Sequence, residues 1–250
     1  MSASNIDVKE VVLRKTTPVV INSFNQLTYI SNMVEKLIDE NFKNIYILDQ
    51  CSTYPPLLEW YKKIADQVTI FMQAKNMGPH DFFISKKYEI FGGAPFLYTD
   101  ADLDWNELAP DFLTKIFHVA NALKIFKVGS ALEIPKAQDL KLNFHMLSKD
   151  GNLKSVVEHE SVYWENPIYE NIYNAPIDTT MHLFCPYYYQ DNSPIITGIR
   201  IAGDGFQLKH LPWYINDPMP VEERQYYMSR SLHSTWKDDS YHSVCGSEVA

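Results

Sequence analysis

The stretch FLYTDADLDW, residues 96–105, ends an apolar run on three aspartates at every second position, Asp100, Asp102 and Asp104. Carboxylates at that spacing repel one another unless a cation lies between them or open solvent screens them. In extended backbone, residues two apart point the same way, so Asp100 and Asp102 can face one ion while Ala101 faces the sheet. The rival readings are a solvated strand end, a helix N-cap and a calcium loop of the EF-hand kind. The calcium loop is excluded. Its sixth and twelfth positions require glycine and glutamate, and here hold Trp105 and Asp111. The metal pair is favoured over the solvated end because the cluster closes a buried strand, and α/β sheets bind ligands at such strand ends.

The elements that must position this pair follow from periodicity. PVVIN (18–22) is a short continuous apolar run, suited to a strand buried on both faces. After it, Leu27, Ile30, Met33, Val34, Leu37 and Ile38 recur at three- and four-residue steps, an amphipathic helix. IYILD (45–49) is a second strand, PPLLEWYKKIAD (55–66) a helix opened by prolines, VTIFM (68–72) a third strand and PFLYTD (95–100) a fourth. This βαβαβ pattern predicts a parallel sheet flanked by helices, with ligands at the carboxyl ends of its strands. Beyond it, PDFLTKIFHVANAL (110–123) reads as a helix and KIFKVGSALEI (124–134) as a strand. The second half is loop-rich, with strands expected in MHLFCP (181–186) and GIRIAG (198–203) and a last helix in VEERQYYMSR (221–230).

Composition narrows the classes. With 250 residues, no internal repeat and no linker, the chain reads as one α/β domain. A formal net charge of -9, without any Lys/Arg-rich run, argues against a nucleic-acid partner. The N-terminus MSASNIDVKEVVLRKTT has no apolar core of a signal peptide, and no window reaches bilayer-spanning length. Cys51, Cys185 and Cys245 are widely spaced and form no CxxC pair, which fits reduced thiols in the cytoplasm.

Further candidates lie at the same rim. Asp49 ends the second strand, where a carboxylate can contact ribose or base, or can simply form the turn before Pro55. Asn22, Ser23 and Asn25 end the first strand and could bind ligand or cap the next helix. Neither GxGxxG nor GxxxxGK[ST] occurs, so a bound phosphate would need a metal to neutralise it. His210, beside Lys209 in LKHLPWY, suits a diphosphate or packs a loop. Trp164, Tyr169, Trp213 and Tyr214 could stack on sugars but read more readily as core or loop anchors. Glu158 and Glu160 of VEHES could act as acid or base, although a charged, solvated turn is the preferred reading.

INSFNQLTYI, ILDQCSTYPPLLEWY, AKNMGPHD, YTDAD, APIDTTMHLF and RIAG followed by KHLPWY resemble, in order, the motifs of a family of small bacterial and viral glycosyltransferases. That family is related to family 2 and is built on the GT-A fold, a Rossmann-like, mainly parallel sheet. The resemblance runs from about Pro18 to Trp236. It implies a nucleotide-sugar-binding half over about 15–105, an acceptor-binding half over about 106–236 and a tail at 237–250. It further implies a nucleotide-diphospho-sugar donor, UDP by analogy, bridged by Mn²⁺ or Mg²⁺ to Asp100 and Asp102, with His210 a further metal ligand or diphosphate contact. Asp104 lies beyond the motif, as a surface or capping residue. Asp49 matches the carboxylate that contacts the base, Asn22 and Ser23 the loop beside the nucleotide, and Asn76 a residue near the nucleotide or ribose.

The acceptor would be a hydroxyl of a glycan or glycolipid, with peripheral membrane contact and oligomeric state left open. Inverting transfer needs a base on the sugar face opposite the leaving group. Asp178 is the candidate, with Asp204 and Glu160 as rivals; alternatively Asp178 caps the turn through Thr179 and Thr180. The alternative functions are a sugar nucleotidyltransferase and a non-catalytic carbohydrate- or nucleotide-binding protein of the same fold.

Overall fold

The structure, a computed structural model, describes residues 7–141, 144–147, 151–190 and 197–231, and the backbone of 236–238. In chain order the elements are α1 (Val8–Thr16), β1 (Val19–Ser23), α2 (Leu27–Asp39), β2 (Ile45–Asp49), α3 (Pro55–Ile64), β3 (Thr69–Met72), α4 (Asp81–Ile84), β4 (Phe96–Asp100), β5 (Leu103–Asp104) and α5 (Phe112–Leu123). They continue through β6 (Lys127–Leu132), β7 (Phe144–Leu147), β8 (Leu153–Ser155), α6 (Val156–Ser161), β9 (Pro167–Tyr169), β10 (Ile172–Asn174), β11 (His182–Phe184), β12 (Ile199–Ile201), β13 (Gln207–His210), α7 (Val221–Met228) and β14 (Trp236–Asp238).

The main sheet runs β3-β2-β1-β4-β11-β6-β12-β10-β9. Strands β3, β2, β1 and β4 are mutually parallel, as the alternating pattern requires. Strand β11 then enters antiparallel between β4 and β6. From β1 the chain proceeds outward to β2 and β3, and then returns to place β4 on the other side of β1. That reversal opens a crevice at the carboxyl ends of β1 and β4, the topological switch point where such sheets take ligands. Strand β13 extends β6 in parallel and pairs antiparallel with β5, folding the second half back over the same sheet end.

The core explains why the periodic elements are legible. Helix α2 buries Tyr29, Ile30, Met33, Val34 and Leu37, one stripe at helical spacing. Its N-terminus has no side-chain cap of its own. The Glu223 carboxylate, from α7, instead accepts bonds from the Thr28 N–H at 2.8 Å and the Thr28 hydroxyl at 2.7 Å. Helix α1 inverts the usual arrangement: Val8 and Val12 are exposed, while Glu10 and Arg14 are buried as an ion pair at 2.9 Å. Cys51 and Cys185 are free thiols, and Cys245 lies outside the described residues.

Strand β6 packs closely against β11. A Cβ added at Gly129 would lie 2.2 Å from the Met181 carbonyl oxygen and 2.8 Å from the His182 Cβ. Gly129→Ala is therefore expected to destabilise the fold by about 1–3 kcal/mol, the cost of overpacking against backbone. A denaturation midpoint equal to wild type would show that the two strands can separate without cost.

Candidate active site

Register brings the first residues together. Asn22 pairs with Asp100 across β1 and β4, and the Asn22 amide donates to Asp100 Oδ1 at 3.2 Å. Gln50, just past β2, donates to Asn22 Oδ1 at 3.1 Å and accepts from the Met77 N–H at 3.3 Å. On the other side of Asp100 the Thr179 hydroxyl donates to Oδ2 at 2.5 Å. Both Asp100 oxygens are thus oriented, one from the first half of the chain and one from the second.

The β5–β13 pairing sets His210 opposite Leu103, and His210 Nε2 lies 3.4 Å from Asp102 Oδ2. Asp102 Oδ1 is enclosed and has no hydrogen-bond partner among the described residues. Burial, followed by the neighbouring Asp102 and then Asp178, pushes the Asp100 pKa well above the usual carboxylate range, against the hydrogen bonds from Thr179 and Asn22. A hard divalent cation beside Asp100 and Asp102 would relieve that repulsion and satisfy the orphan oxygen. Among the described residues no group of three His, Cys, Asp or Glu side chains, Asp100, Asp102 and His210 included, is placed to hold a metal ion by itself. The remaining ligands would then have to come from substrate oxygens or water.

These residues line one cleft of about 490 Å³, together with Asn76, Gly78, His80, Ile84, Asp178 and Tyr227. Its size suits a small-molecule ligand. Asn76 helps shape it, its Oδ1 accepting from the Gly78 N–H at 2.9 Å. Asp178 stands on the cleft wall, with Oδ1 accepting from the Thr179 N–H at 2.7 Å. Desolvation pushes the Asp178 pKa up, but the Thr179 N–H, Arg200, His80 and Lys127 outweigh it and hold the carboxyl below its ordinary value.

Several expected residues lie elsewhere. Asp49 is fully buried, Oδ1 accepting from the Ser52 N–H at 2.7 Å and Oδ2 from the Tyr61 hydroxyl at 2.7 Å. Ser23 is buried beside it under the same tyrosine. The Asn25 amide oxygen accepts from the Thr53 and Tyr54 N–H groups, tying the β1–α2 loop to the start of α3. None of the three lines the cleft, because alternate side chains on a strand face opposite ways. Gln50, one residue beyond Asp49, faces it instead. Asp49→Ala should accordingly cost about 1–3 kcal/mol of stability for each orphaned partner, while donor affinity holds. A tenfold loss of donor affinity at unchanged urea midpoint would restore the base-contact reading.

Lys209 points away from its neighbour His210, to Glu107 at 2.8 Å, and that carboxylate holds its pKa up. Asp104 accepts from the Asn106 N–H at 2.9 Å in a surface turn. Asp204 is exposed in a turn between Gly203 and Gly205, outside the cleft. VEHES is not a solvated turn. It forms α6, opened by a reciprocal cap between Ser155 and Glu158, and it buries Glu160 against Arg200 at 2.5 Å. Burial raises the Glu160 pKa to about 7 against the pull of Arg200. Trp213 and Tyr214 are core residues, and neither they nor Trp164 and Tyr169 line the cleft. Thr179 and His80 join the site without having been expected there, although both sit inside motifs that point to it, APIDTT and NMGPH.

No family model matches the chain, and no curated protein does. Solved structures do. The chain is similar to GalNAc-T7, crystallised with UDP, GalNAc and Mn²⁺, at a TM-score of 0.43 and 12% identity, covering 78% of this chain and 44% of that one. It is also similar to residues 1–349 of S. aureus TarS, at a TM-score of 0.41 and 12% identity, covering 85% of this chain and 54% of that one. The chain spans about half the length of these structures. Among the described residues no helix is long and apolar enough to cross a membrane.

Proposed function

We propose that the protein is a metal-dependent glycosyltransferase moving a sugar from a nucleotide-diphosphate donor to a hydroxyl of a glycan or glycolipid, with inversion. One observation carries the reading: a single cleft at the strand ends gathers Asp100, Asp102, His210, Asn22 and Asp178. Mn²⁺ or Mg²⁺ held by Asp100, Asp102 and His210 would supply charge neutralisation to the departing diphosphate. The protein's own groups do the rest. Asn22 and Thr179 fix the Asp100 carboxylate, and the cleft wall orients donor and acceptor for in-line attack. The acceptor oxygen forms its bond to the anomeric carbon as the bond to the phosphate oxygen breaks, and the acceptor proton passes to Asp178. The lowered pKa of Asp178 keeps it ionised and able to accept that proton at neutral pH.

The test is incubation with UDP-sugars in Mn²⁺ or EDTA. Slow, Mn²⁺-dependent UDP release supports the transferase. Release of pyrophosphate would identify a nucleotidyltransferase, and neither product together with retained donor binding would identify a binding protein.

A further inference from the structure

Lys127 opens the fully buried strand β6, and its side chain is buried with the rest of the strand. Its Nζ donates to two consecutive carbonyl oxygens, those of Ile177 and of Asp178, the latter at 3.1 Å. It also lies 5.6 Å from the centre of the Phe83 ring. Arg200, buried on β12, donates from Nε to the preceding carbonyl, that of Pro176, at 2.9 Å. Its other end is locked by Glu160 at 2.5 Å and by the Tyr163 ring at 4.1 Å. Three successive carbonyls, at residues 176, 177 and 178, are therefore gripped by two buried basic side chains from neighbouring parallel strands, and burial lowers the Lys127 pKa to about 7 against the pull of Asp178.

Burying a cation is costly unless its surroundings offset the lost hydration, and an apolar side chain of similar volume often serves stability as well or better. Aliphatic packing alone therefore does not account for two such cations under one loop. What they share is the loop that carries Asp178 into the cleft and, one residue on, Thr179 against Asp100. With its carbonyls held from below, the loop has little freedom to rotate its side chains on the cleft side.

We infer that Lys127 and Arg200, the latter braced by Glu160, are positioning residues that fix the 176–178 backbone so that Asp178 and Thr179 face the reacting groups. This rests on the reading of Asp178 as the base. Glu160, a rival for that role, then serves instead to hold Arg200. The charged and titratable groups influencing Asp178 include Arg200, Lys127, His80 and His159 on the positive side and Asp100 and Glu160 on the negative. Removing a cation therefore moves the Asp178 titration upward.

The experiment compares Lys127→Met, Arg200→Lys and Asp178→Asn, alone and with Lys127→Met combined with Asp178→Asn. Two measurements are made: the ¹³C carboxyl titration of Asp178, assigned by its absence in Asp178→Asn, and Mn²⁺-dependent UDP release from UDP-glucose and UDP-N-acetylglucosamine. Lys127→Met is expected to raise the Asp178 midpoint, lower kcat by about 100-fold, leave donor KM within about twofold of wild type, and cause no further loss in the Asp178→Asn background. Arg200→Lys, which keeps the charge but loses the fork, is expected to lower kcat with a smaller shift in midpoint, and it carries the test if Lys127→Met does not fold. A folded Lys127→Met with wild-type kcat and an unmoved titration overturns the inference, as does an equal loss in both backgrounds. Full activity in Asp178→Asn would instead overturn the base assignment, while the titration would still report whether the cations set the carboxylate.

Discussion

Replacing Asp100 or Asp102 with alanine is expected to abolish Mn²⁺-dependent binding of a UDP-sugar while the chain still unfolds cooperatively. The effect is large because the two carboxylates are the cation's only acidic protein ligands in the proposed site, and without the cation the donor's diphosphate meets a strongly acidic cleft wall. A ligand at about 100 times its Kd stabilises the native state by about 2.7 kcal/mol. Wild type should therefore show a clear thermal shift with donor and Mn²⁺ together, and the variants almost none. Asp104→Ala, which removes only a surface turn contact, should keep the shift. Unchanged Mn²⁺-dependent affinity in both Asp100→Ala and Asp102→Ala would sink the proposed metal site.

Asp178→Asn is expected to lower kcat by about 10²–10⁴-fold, the usual contribution of a general base, with donor affinity and metal dependence kept. Asparagine is isosteric and can still accept from the Thr179 N–H, so the loop keeps its shape and only basicity is lost. The acid limb of kcat in wild type should fall below the ordinary carboxylate value, because the Asp178 pKa is lowered and the base fails only when it gains a proton. Product NMR should show an inverted anomeric centre. Full activity in the variant, or retained configuration, would move the role to another residue or another mechanism.

The parts of this architecture that read directly from the sequence are those whose burial follows a simple period. Strands β1, β2 and β4 bury near-continuous apolar runs, helices α2, α3 and α5 bury apolar residues at spacings of three and four, and all fall within a few residues of their expected bounds. Helix α1 escapes such reading because its buried side is Glu10 and Arg14, whose burial depends on pairing with each other and with Glu40. Glu160 escapes it for the same reason, since its partner Arg200 stands 40 residues away. Within the site, Asp100, Asp102 and His210 are legible as residue types in a motif. The choice between Asp49 and Gln50 is not, because it turns on which face a strand end presents, and a shift of one residue reverses that.

The cap on α2 has a consequence for the order in which the molecule can be completed. Glu223 lies 195 positions after Thr28. At ribosomal speeds of about 5–20 residues per second, it is added roughly 10–40 s later. Over that interval β1, β2, β3 and β4 are all present in the chain, while Glu223 is not yet there to accept from the first turn of α2. Tyr29 likewise waits for Asp217, and Thr53 for Tyr226. The cleft, which needs Asp178, His210 and Tyr227, closes on the same schedule. A chain ending before residue 217 thus carries every strand of the main sheet together with Asp178 and His210, but lacks the Asp217, Glu223 and Tyr226 contacts that tie α2 and the start of α3 to the C-terminal segment.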